Sequence, residues 1–257
     1  MICTVSIKTD DKLNQLLQDI PKGAVILSSW LLSKGYSHSL QHRYLKSNWL
    51  ETISSGAFIR KNDELSVFGA IYALQQQNGK NIHLGGKSAL SLLGFAHNIE
   101  MSNTSLSLFA QPGYKLPKWF KNNKEWQDHQ LFCSSFLPAH LGTMDYDLGN
   151  FKVTISTPAR AIMECLEIAP KKFDLAEVYL IMEGLTSLKP SVVQKLLEEC
   201  TSIKVKRLFL YFSEVSNHTW FKYLDIDKIN LGSGKRSIVK DGTFNEKYSI
   251  TVPKRIN

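Results

Sequence analysis

The sequence predicts an α+β protein of two domains, and three observations lead to that prediction. The chain has 257 residues, of which 43% are hydrophobic, and this is enough for two domains that each bury a core. The first 61 residues show three helical patterns followed by a hairpin pattern. The remainder contains short β-prone runs and longer helical patterns, which are typical of a mixed α/β domain.

The first two helices are predicted from apolar spacing and from residues that begin or end helices. From Asp10 to Ile20 the apolar residues recur every three or four positions, and Pro21-Lys22-Gly23 ends the pattern. A second helix is expected from Ser28, whose hydroxyl can serve as the N-cap. This helix closes at Gly35, because glycine readily takes the left-handed conformation of a helix end.

The turn after Gly35 has about the length that a helix-turn-helix requires, and Ser37 or Ser39 can cap a third helix that runs to about Asn48. At 100° per residue, the apolar side chains of this helix share one face and its polar and basic side chains gather on the other. A polar and basic face suits the base edges and phosphates of a major groove, although it also suits an ordinary solvated helix. The residues predicted to bind DNA here, with Lys46 nearest phosphate, are Ser37, Ser39, His42, Arg43 and Lys46.

Two β-prone runs follow, 49–53 and 57–61, and Gly56 between them can take the positive φ of a hairpin turn. Three helices and a hairpin are the element order of a winged helix-turn-helix. Arg60 and Lys61 at the end of the hairpin are predicted to contact the DNA backbone or minor groove, although such residues are often only solvated. A helix over 65–74 and a polar break over 75–80 then predict two domains, 1–80 and 81–257.

The charge balance points to a polyanionic partner, with nucleic acid first. Lys and Arg number 31 against 23 Asp and Glu, and residues 1–61, 62–150 and 151–257 carry net charges of +4, −1 and +5. No secretion signal or membrane-length apolar window is present, so we expect a cytoplasmic protein without a membrane partner. The four widely spaced cysteines predict no zinc site or disulfide and are expected to be reduced and mostly buried: Cys3, Cys133, Cys165 and Cys200.

The second domain is predicted to begin with strands and to continue with helices. Strands are expected over 104–110, 131–136, 144–148 and 151–155, and helices from Thr157-Pro158 and over 175–184, 190–200 and 205–215. The alternation Ile203-Lys204-Val205-Lys206 also fits the start of a strand. A terminal hairpin is expected between 236–239 and 247–252.

Two glycine-rich stretches, 85–90 and 232–237, invite comparison with a phosphate-binding loop. The first has Asn81 where that loop requires a glycine, and no buried β-run is expected before it. Too little chain follows the second stretch for a nucleotide-binding core. The first stretch is therefore predicted to be an ordinary helix N-terminus.

The alternative function is a metal-dependent enzyme that acts on nucleic acid. Asp145 with Asp147, or Asp225 with Asp227, has the spacing at which two carboxylates can hold one Mg²⁺. Asp145 and Asp147 also lie beside a predicted turn, where aspartate is common. Since no nucleophile elbow or histidine metal motif accompanies these pairs, we predict no catalytic residue, metal or cofactor.

Several stretches, in order along nearly the whole chain, resemble one known family. They are Gly35-Tyr36-Ser37, Tyr44, Ser47-Asn48-Trp49-Leu50, Ser55-Gly56-Ala57-Phe58, Gly85-Gly86-Lys87-Ser88-Ala89-Leu90, Leu93-Gly94, Glu183-Gly184-Leu185-Thr186-Ser187-Leu188-Lys189-Pro190 and Gly232-Ser233-Gly234-Lys235-Arg236-Ser237. The chain resembles the AbiEi-type antitoxins and transcriptional regulators of type IV toxin-antitoxin systems, which act in abortive infection as phage defence.

The resemblance implies a non-catalytic, two-domain protein. Its winged helix-turn-helix would bind inverted repeats in the double-stranded DNA of its own promoter and repress the operon. Its C-terminal domain would counteract an AbiEii-type nucleotidyltransferase toxin without a stable complex, and binding of RNA by this domain stays open. The resemblance also implies a basic surface on this domain, for which the candidates are Lys204, Lys206, Arg207, Lys235 and Arg236.

Overall fold

The computed structural model describes residues 9–96, 105–126 and 128–254, with side chains from residue 12 onward. Helices and strands are both present, which confirms a mixed α+β protein. Two compact units divide the chain. One comprises the described residues of Met1–Lys80, Lys115–Gln127 and Asp145–Val153, and the other those of Asn81–Tyr114, Asp128–Met144 and Thr154–Asn257. Each observed unit is therefore built from three separate segments of the chain, whereas the predicted domains, 1–80 and 81–257, are each one continuous segment.

The elements are numbered in chain order. They are α1 (Thr9–Asp19), β1 (Ile26–Leu27), α2 (Ser28–Ser33), α3 (His38–Lys46), β2 (Leu50–Ser54), β3 (Ala57–Arg60), α4 (Val67–Tyr72), β4 (Ile82–Leu84), α5 (Gly86–Leu92), β5 (Leu106–Ala110), α6 (Lys118–Lys121), β6 (His129–Cys133), β7 (Thr143–Asp147), β8 (Lys152–Ser156), α7 (Pro158–Ile168), α8 (Leu175–Gly184), α9 (Pro190–Glu199), α10 (Ile203–Val215), β9 (Arg236–Ser237), β10 (Thr243–Asn245) and β11 (Ile250–Val252).

The first unit contains three helices followed by a hairpin, the order that the sequence predicts. β1, β3 and β2 pair in that order as an antiparallel sheet, and the hairpin turns at Gly56, whose φ is +76°. The predicted cap of α2 is wrong, because Leu27 is the N-cap and Ser28 is already helical. The Ser28 hydroxyl instead donates a hydrogen bond to Gln41 Oε1 at 2.7 Å.

The apolar faces of these elements enclose one core. Removal of this apolar surface from water provides most of the energy that holds the unit together. Its buried members are Leu16, Ile20, Ala24, Ile26, Leu31, Tyr36, Tyr44, Leu50 and Phe58.

The polar run after α4 is partly structured, so the prediction of a break over 75–80 is wrong at its start. A π-helix, Ala73–Gln77, continues α4 and directs Gln77 to the edge strand β1. There the Gln77 amide accepts the Leu27 N–H at 2.8 Å and donates to the Val25 carbonyl at 2.7 Å. The Gln77 side chain thus forms two hydrogen bonds with the edge of the sheet, as the backbone of a neighbouring strand would.

A five-stranded mixed sheet has the order β6-β5-β4-β8-β7. β4 is antiparallel to β5 and parallel to β8, and β5 is parallel to β6. The strand predicted over 104–110 is described from Leu106, and Thr104 lies outside the described residues. Among the helices, α7 packs against α5, α8, α9 and α10.

The C-terminal part corrects two predictions. The alternation from Ile203 begins helix α10 and not a strand, because Val205, Leu208 and Phe209 are buried at helical spacing. The terminal hairpin is formed by β10 and β11, and β9 pairs with β11 in parallel. β11 is the central strand of this sheet, and its residues Ile250 and Val252 are both buried.

Within the described ranges, no helix is long and apolar enough to cross a membrane. Cys165 and Cys200 are free and buried, as expected, whereas Cys133 is free and exposed. Cys3 lies outside the described residues.

Candidate nucleic-acid interface

The outward face of α3 carries the predicted DNA-binding side chains. Ser39, His42, Arg43 and Lys46 are all exposed. The opposite face is buried, with Tyr44 3% exposed. The structure therefore brings these four polar and basic side chains together on one solvent-facing side of a single helix.

The N-terminal end of α3 is fixed by side-chain hydrogen bonds. Ser37 is exposed and caps the helix, since its hydroxyl oxygen accepts the Leu40 N–H at 3.3 Å. Gln41 is buried and donates its amide N–H to the Tyr36 carbonyl at 2.8 Å, while it accepts the Ser28 hydroxyl. These bonds link α3 to the preceding turn and to α2.

The C-terminal end of α3 closes in a Schellman motif. Asn48 takes the left-handed conformation with a φ of +56°. Its N–H donates to the Leu45 carbonyl at 3.1 Å, and the Trp49 N–H donates to the Tyr44 carbonyl at 2.9 Å. The chain therefore leaves the helix and enters the hairpin along a defined path.

The two basic residues of the hairpin have partners within the chain. The half-buried Arg60 guanidinium donates to the carbonyls of Leu17 and Ile20 at the end of α1. The last carbonyls of a helix lack intrahelical donors, so a guanidinium is well suited to that position. Lys61 is exposed and forms an ion pair with Glu51. Both predicted DNA contacts of the hairpin are thus engaged within the first unit.

Two exposed residues beside this face were absent from the predicted set. His38 is the first residue of α3 and is exposed, as is His42 one turn later. Its spacing of four from His42 is a signal that was available in the sequence. Trp49 is 48% exposed, and no pattern distinguishes an exposed tryptophan from a buried one.

The basic residues predicted for the second unit do not form one surface. Lys235 and Arg236 are exposed, whereas Lys206 and Arg207 are buried. The Lys204 ammonium is half-buried and donates to the carbonyls of Glu167 and Ala169. Burial lowers the pKa of Lys204, and the nearby Glu167 carboxylate opposes that shift.

The second glycine-rich stretch, 232–237, is held by the Arg207 guanidinium. This group donates to the carbonyls of Leu231 at 2.8 Å, Gly234 at 2.7 Å, Gly232 at 3.1 Å and Ser249 at 3.2 Å. Gly232 has a φ of +61°, and a Cβ there would lie 3.2 Å from the Ile203 side chain. The stretch is therefore a loop that wraps an arginine of α10.

The first glycine-rich stretch follows a buried strand, so the expectation that none precedes it is wrong. β4 is buried along its length, and α5 begins within the stretch at Gly86, which confirms the predicted helix N-terminus. The Gly86 N–H donates to Glu164 Oε2 at 2.8 Å, and a Cβ at Gly85 would lie 2.2 Å from the same oxygen. The position that a phosphate would need is occupied by a carboxylate of the protein.

Glu164 is the centre of a buried polar cluster. Its carboxylate accepts from His83 Nε2 at 2.8 Å, Arg160 Nε at 2.8 Å and the Ser156 hydroxyl at 2.7 Å, besides Gly86. Burial raises the pKa of this carboxyl, but His83 and Arg160 outweigh it and hold the pKa below its ordinary value. The cluster joins β4, β8, α5 and α7, and no sequence pattern predicted it.

One member of each candidate carboxylate pair has a partner within the chain. Asp147 accepts the Gly149 N–H at 2.7 Å in a turn, and Asp225 forms an ion pair with Lys228 at 2.9 Å. In the part of the chain that the structure describes, no group of three or more histidine, cysteine or acidic residues is placed to hold a metal ion.

Two family models match the chain in succession. Residues 9–101 match the transcriptional regulator, AbiEi antitoxin N-terminal domain, and residues 103–253 match the transcriptional regulator, AbiEi antitoxin, type IV toxin-antitoxin system. The chain belongs to the AbiEi family. This result confirms the resemblance found from the sequence motifs and describes the family as transcriptional regulators and type IV antitoxins.

Two further comparisons, with curated proteins and with solved structures, add information on the fold alone. No curated protein matches the sequence significantly. The crystal structure of the RV2827C protein from Mycobacterium tuberculosis is similar with a TM-score of 0.57 over 94% of this chain and 90% of that chain, at 12% identity. At this identity, the likeness to that structure indicates a shared fold alone.

Proposed function

We propose that this AbiEi-family chain is the antitoxin of a type IV system and the DNA-binding repressor of its own operon. The first part, residues 1–80, acts as a winged helix-turn-helix and binds inverted repeats in the promoter. The observation that carries this proposal is the capped helix α3, whose exposed face bears only polar and basic groups and which leads directly into a β-hairpin.

α3 enters the major groove in this proposal. Ser39, His42 and Arg43 lie near base edges, where an arginine can donate two hydrogen bonds to guanine. Lys46 lies in the last turn of the helix and contacts phosphate. The hairpin supports the helix. α3 supplies most of the positive charge that faces the DNA, because Arg60 and Lys61 have partners within the protein.

Salt dependence of DNA binding tests the contact. We expect Lys46→Ala to lower the slope of log affinity against log salt by about 1, because one counterion fewer is released. Arg43→Ala should relax the sequence preference if Arg43 binds a base. Lys121→Ala, a change at another exposed lysine of the first unit, is the matched control and should keep the wild-type slope. An unchanged slope in Lys46→Ala would contradict the placement of α3.

The second part, residues 81–257, counteracts a nucleotidyltransferase toxin encoded beside this gene, without a stable complex. The family description supports an antitoxin role, and Lys235 with Arg236 is the exposed remainder of the predicted basic surface. We expect a Lys235→Ala, Arg236→Ala chain to repress its promoter but to fail in rescuing cells that express the toxin. An Arg43→Ala, Lys46→Ala chain should rescue the cells without repressing. Loss of both activities in both variants would contradict the division of roles.

A further inference from the structure

Trp49 is a large aromatic residue at the junction between α3 and the hairpin. Its side chain is 48% exposed, although an indole normally favours burial. Among the described residues, its indole N–H has no hydrogen-bond partner. A half-exposed tryptophan with a free donor is suited to a binding partner that offers both an acceptor and an apolar surface.

The backbone of Trp49 is held on both sides. Its N–H donates to the Tyr44 carbonyl at 2.9 Å, and its carbonyl accepts the Lys61 N–H at 3.1 Å. The side chain is therefore exposed from a fixed position between helix and hairpin. Fixed placement lowers the entropy that a contact must overcome on binding.

The charges around Trp49 favour an anionic partner. α3 contains no acidic residue, and Arg43 and Lys46 are exposed in the two turns that precede Trp49. The nearby acidic group of the hairpin, Glu51, is paired with Lys61. A DNA backbone supplies phosphate acceptors for the indole N–H and apolar deoxyribose faces for the ring.

We infer that Trp49 contacts the sugar–phosphate backbone of the operator duplex, with its indole N–H donating to a phosphate oxygen. This inference rests on the proposed DNA binding and adds a residue that fixes the register of α3 in the groove. Because the contact is uncharged on the protein side, it strengthens binding without releasing a counterion.

The affinity test uses a fluorescein-labelled duplex from the region upstream of the gene and an unrelated duplex of the same length. We expect Trp49→Ala to bind the upstream duplex about tenfold more weakly at every salt concentration, as loss of a hydrogen bond to a charged group implies. Its salt slope should equal that of the wild type, whereas Lys46→Ala lowers the slope. Trp49→Phe keeps an aromatic face but lacks the donor, so its affinity should be intermediate.

Tryptophan emission provides the direct readout. The chain contains five tryptophans, and we expect the duplex to quench wild-type emission but to leave that of Trp49→Phe unchanged. Because about half of the indole is buried, the thermal midpoint of Trp49→Ala should fall by a few degrees, but unfolding should stay cooperative and lie well above the assay temperature, which excludes misfolding. Wild-type affinity in Trp49→Ala, an unquenched wild type that still binds, or a Trp49→Ala chain whose oligomeric state changes without DNA would each overturn the inference. If the wild type binds neither duplex, the proposed DNA binding itself fails, and the inference fails with it.

Discussion

Glu164 offers a sharp test of how the second unit is held together. Its carboxylate accepts four buried hydrogen bonds, from His83, Ser156, Arg160 and Gly86. In Glu164→Gln the shape is kept, but one carboxylate oxygen becomes an NH₂ group that must face donors. The Arg160 guanidinium also loses its counter-charge while it stays buried. Breaking a buried ion pair in this way costs about 3 to 5 kcal/mol, so we expect that loss in the free energy of unfolding.

Denaturation in urea measures the effect, followed by circular dichroism and by tryptophan emission, to which the buried Trp220 of the second unit contributes. Glu199→Gln is the matched control, because Glu199 lies exposed at the end of α9 and its loss should cost less than about 0.5 kcal/mol. If Glu164→Gln were within about 1 kcal/mol of the wild type, the cluster would not be a major source of stability, and our interpretation would be refuted.

The pH dependence of the same variant checks the charge of Glu164. The pKa of Glu164 in the folded protein is below its ordinary value of 4.5, so unfolding takes up a proton as the pH falls through that region. The advantage of the wild type over Glu164→Gln is therefore full above about pH 5 and should decrease as the pH falls below 4.5. A difference that stays constant down to pH 3 would indicate that the pKa of Glu164 is not lowered in the folded state.

Three further substitutions test contacts described above. Gln77→Leu removes two hydrogen bonds to β1 and should lower the unfolding free energy by about 1 to 3 kcal/mol, measured by urea denaturation against Gln76→Leu. Gly85→Ala places a Cβ 2.2 Å from Glu164 Oε2 and should lower the thermal midpoint by several degrees, whereas Gly113→Ala, where nothing lies within 4 Å, should lower it less. Arg207→Lys cannot donate to four carbonyls, so hydrogen exchange should become faster across 231–234 and stay unchanged in α3.

The features that the sequence predicted well are local ones. The exposed face of α3 follows from helical spacing over nine residues, and the hairpin follows from one glycine that can take a positive φ. Both depend on residues close together in the chain, so their pattern is visible without knowledge of the fold.

The features that were missed depend on residues distant in sequence. His83 and Glu164 are 81 positions apart, and β4 is only three residues long with a histidine at its centre, so its β pattern is weak. The partners of Arg60 lie 40 and 43 positions away. In α10 the alternation of apolar residues with Lys204 and Lys206 fits a strand as well as a helix. Only the packing in the folded protein shows that both lysines lie in a helix.

Gln41 has a consequence for how DNA recognition would proceed. Its amide joins α3 to α2 and to the turn before α3, so α3 is held at a fixed inclination in the free protein. A helix that is oriented in advance loses little freedom on docking. Operator association should therefore proceed as a rigid-body encounter, in which discrimination between sequences appears mainly in the lifetime of the complex and hardly in its rate of formation.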